Sequence, residues 1–269
     1  LMSIKRQRNK SLKIMLIAQL TDTHITVPDD EKGDCYTKLE ALQRCVSAIN
    51  QLETLPDVIV HTGDVVHNGS NAEYKLVKSI MDALRAPYFL TKGNRDSIGP
   101  LIQEFSSQQL KNKNRDFLQY SVDVLGYQLV AVDTTSSHSN LGLLNFDRLA
   151  NLDEILREKP ESPTLLFMHH PPINFSNPKT PLHEYEDFRM VKNFSEIIDR
   201  HPQVIALLCG HIHRSFKGVI NATPLIAMPP LSKILNRDKN SKTLCPDVSF
   251  YLHDFSDNSF AGTTAITVN

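Results

Sequence analysis

The chain has 269 residues, 41% of them hydrophobic, with 29 basic and 30 acidic side chains and a formal net charge of -1. It is long enough to bury a substantial core, and its balanced charge gives no global field favouring nucleic acid or an anionic membrane. The four cysteines, Cys35, Cys45, Cys209 and Cys245, are scattered without a CxxC pair, which argues for thiols in a reducing cytosol over a disulfide framework or a zinc knuckle.

Residues 1–12 read as a basic N-terminal tail around KRQRNKSLK, and 13–269 as a single domain. KIMLIAQL (13–20) is a buried strand, too short to span a bilayer and ending in TDTH instead of a small-residue cleavage site, so a cytoplasmic protein is expected. YTKLEALQRCVSAINQL (36–52) has helical spacing, DVIVHTGD (57–64) is a strand and turn, and AEYKLVKSIMDAL (72–84) is helical. APYFLTKGNRD (86–96) is strand plus turn, and a helix resumes from Pro100 to Leu110. This βαβαβα order predicts a sheet covered by helices.

Next come two strands about a turn at Gly126 (117–133), a helix over 145–160, a strand TLLFMHH (164–170), a helix FSEIIDRH (194–201) and a strand VIALLCGHIH (204–213). Segments 216–228 and 248–268 suggest hairpins. A mixed, two-sheet α/β architecture fits this rhythm. Residues 171–190, rich in Pro, Asn and polar side chains, read as a lid-like loop near the substrate, with His183 a contact candidate. The hairpins after Leu231 offer a surface for a homodimer.

Five stretches place metal-capable side chains just beyond predicted strands: Asp22 and His24 in TDTH, Asp64 in GDVVHNG, Asn94 in GNRD, His169 and His170 in MHHPP, and His211 and His213 in GHIH. Strand ends of an open α/β sheet converge on one edge, so these residues can share a pocket. Imidazole and carboxylate together suit zinc, iron or manganese, and an amide oxygen adds a neutral ligand. A bridging carboxylate can hold two ions about 3.5 to 4 Å apart. The Asp-x-His and His-x-His spacings, in a regular strand, would turn each pair to one face. Alone each signal is commonplace, since a strand histidine is usually structural and Gly-Asp is often a turn; their ordered recurrence points to one site.

The order DxH, GDxxxxG, GNxD, HH, GHxH, from Asp22 to His213, resembles the calcineurin-like metallophosphoesterase superfamily. Within it the blocks most resemble class III cyclic nucleotide phosphodiesterases and related glycerophosphodiesterases. The resemblance implies a four-layer α/β/β/α sandwich of two mixed sheets with two metal ions. One ion would be bound by Asp22, His24, Asp64 and His213, the second by Asp64, Asn94, His169 and His211, with Asp64 bridging. It further implies attack of a metal-bridging hydroxide on a small phosphodiester, foremost a 3′,5′-cyclic nucleotide such as cyclic AMP, with a glycerophosphodiester as alternative. Asn94, Arg95, His170 and His213 would face the substrate.

One position departs from that pattern. Where the superfamily has GNH, with a histidine that touches phosphate and protonates the leaving oxygen, this chain has Arg95. A guanidinium stays protonated and is no general acid, but its planar fork suits two phosphate oxygens. Either Arg95 clamps the diester, with Asp96 orienting it or merely fixing the turn before the Gly99-Pro100 helix start, and with a metal-bound water, His170 or no group protonating the leaving oxygen, or it turns to Asp96 in an ion pair and the site is slow. The second case leaves a non-catalytic phosphate- or nucleotide-binding protein as the contrasting function.

Overall fold

The structure, a computed structural model, describes residues 14–27, 34–106, 116–177, 180–231 and 248–268, with backbone alone for 34–37 and 174–183. The basic tail, Cys245, the Cys35 and His183 side chains and the expected end of the third helix at 107–110 lie outside this description.

Two mixed sheets form the body. The first has five strands in the order β13-β12-β1-β2-β3: β1 (Ile14–Leu20), β2 (Val58–His61), β3 (Tyr88–Leu90), β12 (Val248–Ser256) and β13 (Ser259–Val268). The second has six, β10-β11-β9-β6-β5-β4: β4 (Tyr120–Val124), β5 (Tyr127–Val132), β6 (Thr164–Met168), β9 (Val204–Cys209), β10 (Phe216–Ile220) and β11 (Thr223–Ala227). The helices are α1 (Asp34–Asn50), α2 (Asn71–Met81), α3 (Ile98–Phe105), α4 (Phe146–Glu158) and α5 (Phe188–Arg200).

Alternation along the strands of the second sheet decides which layer each side chain joins. Leu129, Ala131, Leu165, Phe167 and Leu208 enter a core shared with the first sheet and with Leu42, Tyr74 and Leu101 of α1 to α3. Their neighbours Val130, Val132, Leu166, Met168 and Leu207 enter a second core with Leu152 of α4 and Phe194 of α5. This is the layering of an α/β/β/α sandwich.

Local chemistry explains the boundaries. Ser70 and Glu73 form a reciprocal capping box at the start of α2. Leu125 and Gly126, and Asp257 and Asn258, take positive φ in their two-residue turns, the conformation that matches the twist of paired strands. Helix α5 begins six residues before the expected Phe194, because Asp187 caps it by accepting from Arg189 N. The stretch 171–190, expected as a loop, contains an antiparallel pair, β7 (Asn174–Asn177) and β8 (Thr180–His183). Beyond it the chain rejoins the body, where Gly142 N donates to Glu184 O at 2.6 Å.

Candidate metal centre and active site

Parallel register aligns the ends of the central strands. Leu20 pairs with His61, His61 with Leu90, and Phe167 with Leu208. Backbone pairing then continues past the strands, from Asp22 N to Gly63 O and His24 N to Asp64 O, each 3.0 Å. On the second sheet Gly210 N donates to His169 O, also at 3.0 Å. Gln19 joins the two sheets at this edge, donating to Thr62 Oγ1 at 3.0 Å and to Cys209 O at 2.9 Å.

The candidate ligands do not lie within strands, so pleat alternation is not what aims them. Asp22, His24, Asp64, His211 and His213 all have φ between 44° and 67°, five of the nine described non-glycine residues in the left-handed region. Such backbone costs energy and collects at functional sites. The close packing of Gly93 on the loop of Asp64 adds to this constraint: a Cβ at Gly93 would stand 2.1 Å from Asp64 N.

Seven of the expected ligands converge in two halves. In one, Asp22 Oδ1 lies 3.2 Å from His213 Nε2 and 3.8 Å from His24 Nε2, and the two histidine nitrogens are 3.4 Å apart. In the other, His169 Nε2, His211 Nδ1 and Asn94 Oδ1 form a triangle with sides of 3.0, 3.1 and 3.2 Å. Asp64 Oδ2 stands between the halves, 3.6 Å from His24 Nε2 and 3.5 Å from His169 Nε2. Its other oxygen accepts from Arg95 N at 2.7 Å.

The triangle tests the fit to a cation. His169 Nδ1–H donates to the Thr62 carbonyl at 2.8 Å, which leaves a lone pair on Nε2. His211 Nε2–H donates to Glu184 Oε2 at 3.0 Å, which leaves a lone pair on Nδ1. Asn94 Nδ2 donates to Asn140 Oδ1, so its oxygen faces inward. Three lone pairs therefore meet, an arrangement that a metal ion placed among them satisfies together. Electrostatics point the same way. Burial pushes the Asp22 and Asp64 carboxyls up, yet the surrounding histidines outweigh it and hold both well below the ordinary range. Burial lowers His169, but the charge and hydrogen bond of Asp64 lift its pKa to about 9. Imidazole, carboxylate and amide oxygen in this number suit zinc, iron or manganese.

His170 and Asp96 both take supporting places and are not presented to a substrate. His170 is fully buried, with Nε2 donating to Asn140 O at 3.0 Å and Nδ1 2.9 Å from Thr134 Oγ1. Both ring nitrogens are engaged, so neither is presented to a substrate or a leaving group. Asp96 does not orient Arg95: its carboxylate accepts from the backbone of Gly93, Val65 and Val66 and from the Tyr74 hydroxyl. It fixes the turn that carries Asn94, and burial followed by the charge of Asp64 raises its pKa to about 6. The exposed Arg95 guanidinium has no hydrogen-bond or ion-pair partner among the described residues. His61 and His67 stand beside the cluster, His61 buried at 3.1 Å from Thr23 Oγ1 and His67 with its ring 5.9 Å from that of His24.

Glu184 and Asn140 had no sequence signal. A cavity of about 670 Å³ beside Asn94 also went unforeseen; Lys92, Thr135, Ser136, Asn145 and Arg148 line it, with Phe117 its one aromatic wall. No helix among the described residues is long and apolar enough to cross a membrane.

Known proteins resemble this chain in sequence and fold. The model of the calcineurin-like phosphoesterase family matches residues 15–215. A probable glycerophosphodiester phosphodiesterase of Arcobacter nitrofigilis is 29% identical over 90% of this chain and 89% of its own. A probable cyclic nucleotide phosphodiesterase of Synechococcus is 30% identical over 79% of each, and a 3′,5′-cyclic adenosine monophosphate phosphodiesterase of Vibrio vulnificus is 25% identical over 81% and 76%. A dimetal phosphatase from Danio rerio superposes with a TM-score of 0.67 over 95% of this chain and 99% of that one, at 12% identity, and so shares its fold. With its two mixed sheets and its blocks from Asp22 to His213 inside the matched span, the chain belongs to the calcineurin-like phosphoesterase family and is a hydrolytic phosphoesterase.

Proposed function

We propose that this chain is a dinuclear metal-dependent hydrolase of small phosphodiesters. The observation that carries the reading is Asp64 Oδ2, a single carboxylate oxygen lying between His24 of one half and His169 of the other. Asp22, His24, Asp64 and His213 would hold one ion and Asp64, Asn94, His169 and His211 the second. Ions held there supply Lewis-acid polarisation of the phosphoryl oxygen and ionise water near neutral pH. The chain's own groups do the rest. Thr62 O keeps His169 in the tautomer that presents a lone pair on Nε2. Asp96 holds the Gly93–Asn94 turn, and the unpartnered Arg95 fork binds the diester's non-bridging oxygens and offsets their charge as it builds.

The cavity beside Asn94 is the natural place for the leaving alcohol. Its hydroxyl, amide and ammonium walls, with the carboxylates of Asp116, Asp133 and Asp147, offer donors and acceptors to a hydroxylated group, and Arg148 already covers its one aromatic ring, Phe117, at 5.3 Å. A glycerol-type diester, rich in hydroxyls for its size, is the first reading, supported by the relative named for that activity. A 3′,5′-cyclic nucleotide, cyclic AMP foremost, is the second reading, supported by relatives named for that activity.

Activity toward bis(p-nitrophenyl) phosphate should disappear on chelation and return with manganese. Side-by-side assay of glycerophosphodiesters, cyclic AMP, cyclic GMP and phosphomonoesters then ranks the substrates, with diesters expected above monoesters. No turnover of any of them by a chain holding two ions would refute the proposal and favour a binding protein.

A further inference from the structure

Glu184 is the residue whose role neither the motifs nor the family match supplies. It follows directly on β8, in the segment that returns from the 171–183 excursion, and is buried at 7% exposure. Its carboxylate meets His211 Nε2 at 3.0 Å. Its backbone is anchored independently: Gly142 N donates to Glu184 O at 2.6 Å, and the next residue, Tyr185, donates its hydroxyl to His170 O at 2.9 Å. Gly142 permits this approach, because a Cβ there would stand 2.6 Å from the Tyr185 ring and 3.0 Å from Glu184 O. The carboxylate is thus delivered to the cluster from outside the strand ends that supply the candidate ligands.

We propose that Glu184 is a positioning residue for the second metal site, fixing His211 as the tautomer that binds through Nδ1. The proposal rests on the dinuclear reading above. A carboxylate accepts and cannot donate, so the bridging proton belongs to His211 Nε2 and the ring's only lone pair is the one 3.1 Å from Asn94 Oδ1. The negative charge behind the ring also makes Nδ1 a stronger donor. Without Glu184, the proton is free to move to Nδ1 and block the position facing Asn94 and His169. The first half, Asp22, His24 and His213, has no contact with this carboxylate and should keep its ion.

The test measures ions bound per chain after equilibration against buffered manganese, for wild type, Glu184→Gln and Glu184→Ala. Wild type should hold two. Glu184→Ala should weaken one ion by about 10- to 100-fold and leave the other unchanged. Glu184→Gln, which keeps an acceptor without the charge, should fall between them. A merely structural role would lower thermal stability without this selective loss. Two ions with unchanged affinities in both variants would overturn the proposal, whereas fewer than two on wild type would overturn the dinuclear reading and this one with it. Nitrogen-15 histidine spectra of the metal-free wild type give a reading independent of variant folding. His211 should carry its proton on Nε2, and a proton on Nδ1 alone would refute the assignment.

Discussion

Arg95 sits on the loop that carries Asn94, its backbone N–H bound to Asp64 and its side chain without a partner among the described residues. A charge-assisted hydrogen bond contributes about 1.5 to 3 kcal/mol, so Arg95→Ala should lower kcat/KM for diesters by roughly 10- to 100-fold. Arg95→Lys, a point charge without the fork, should recover part of it. Unchanged steady-state kinetics in Arg95→Ala would show the guanidinium to be idle. Asp64→Asn should cost more, at least about 100-fold in kcat/KM, and atomic absorption should find fewer than two ions per chain. At this scale the sequence was most legible where a motif held the chemistry in its own letters, as in TDTH and GHIH. It was silent where the working atom is a main-chain carbonyl, as at Thr62, or where the partner lies far along the chain, as Glu184 does from His211. His169 and His170 diverge as neighbours in an extended strand do: His169 faces the cluster, while the nitrogens of His170 are taken by Thr134 and Asn140.

Loops, not strands, set the precision of the site, and the turn over Gly93 is among the tightest of them. Gly93→Ala would bring a Cβ within 2.3 Å of Asp64 Oδ1 as well as the backbone beside it. Such overpacking should destabilise the chain by about 1 to 3 kcal/mol in urea titrations and lower its metal content. Ser70→Ala makes a useful contrast. It removes the capping hydrogen bond to Glu73 N at the start of α2, so it should cost about 1 kcal/mol in the same titration and leave kcat/KM unchanged. Apolar periodicity and turn residues made most elements readable, including both terminal hairpins. The start of α5 was missed because the segment before Phe194 is crowded with polar residues, although Asp187 supplies a cap and Val191 keeps the apolar spacing. The left-handed conformations of the candidate ligands were also hidden: Asp and His give less notice of positive φ than glycine does.

The molecule as a whole carries a pH dependence of folding away from the chemistry. His253 lies fully buried between Gln19 Oε1 at 2.9 Å and Thr263 Oγ1 at 2.8 Å, and burial, with a smaller effect from Lys217, lowers its pKa to about 3 from 6.5. The unfolded chain takes up this proton near pH 6.5 while the folded chain resists it. The contribution is therefore complete above pH 6.5 and drains away as pH falls toward 3, by up to about 1.4 kcal/mol per pH unit. Denaturant unfolding at pH 7, 6 and 5 should show that slope, and His253→Gln should flatten it by about one proton, leaving the similar share of buried His61. The seven convergent ligands also come from two layers: Asp22, His24, Asp64 and Asn94 follow strands of the first sheet, His169, His211 and His213 strands of the second. A cation shared between them is a rivet through the sandwich as well as a reagent. Its binding should harden the seam that the Gln19 and Asn94 side-chain amides span, raising apparent stability by about 2.7 kcal/mol at a free ion concentration one hundred times Kd. Amide exchange at Asp22 and Gly210, on opposite sides of that seam, should slow together as the ions load, so that the stock of free metal would govern how long the fold itself endures.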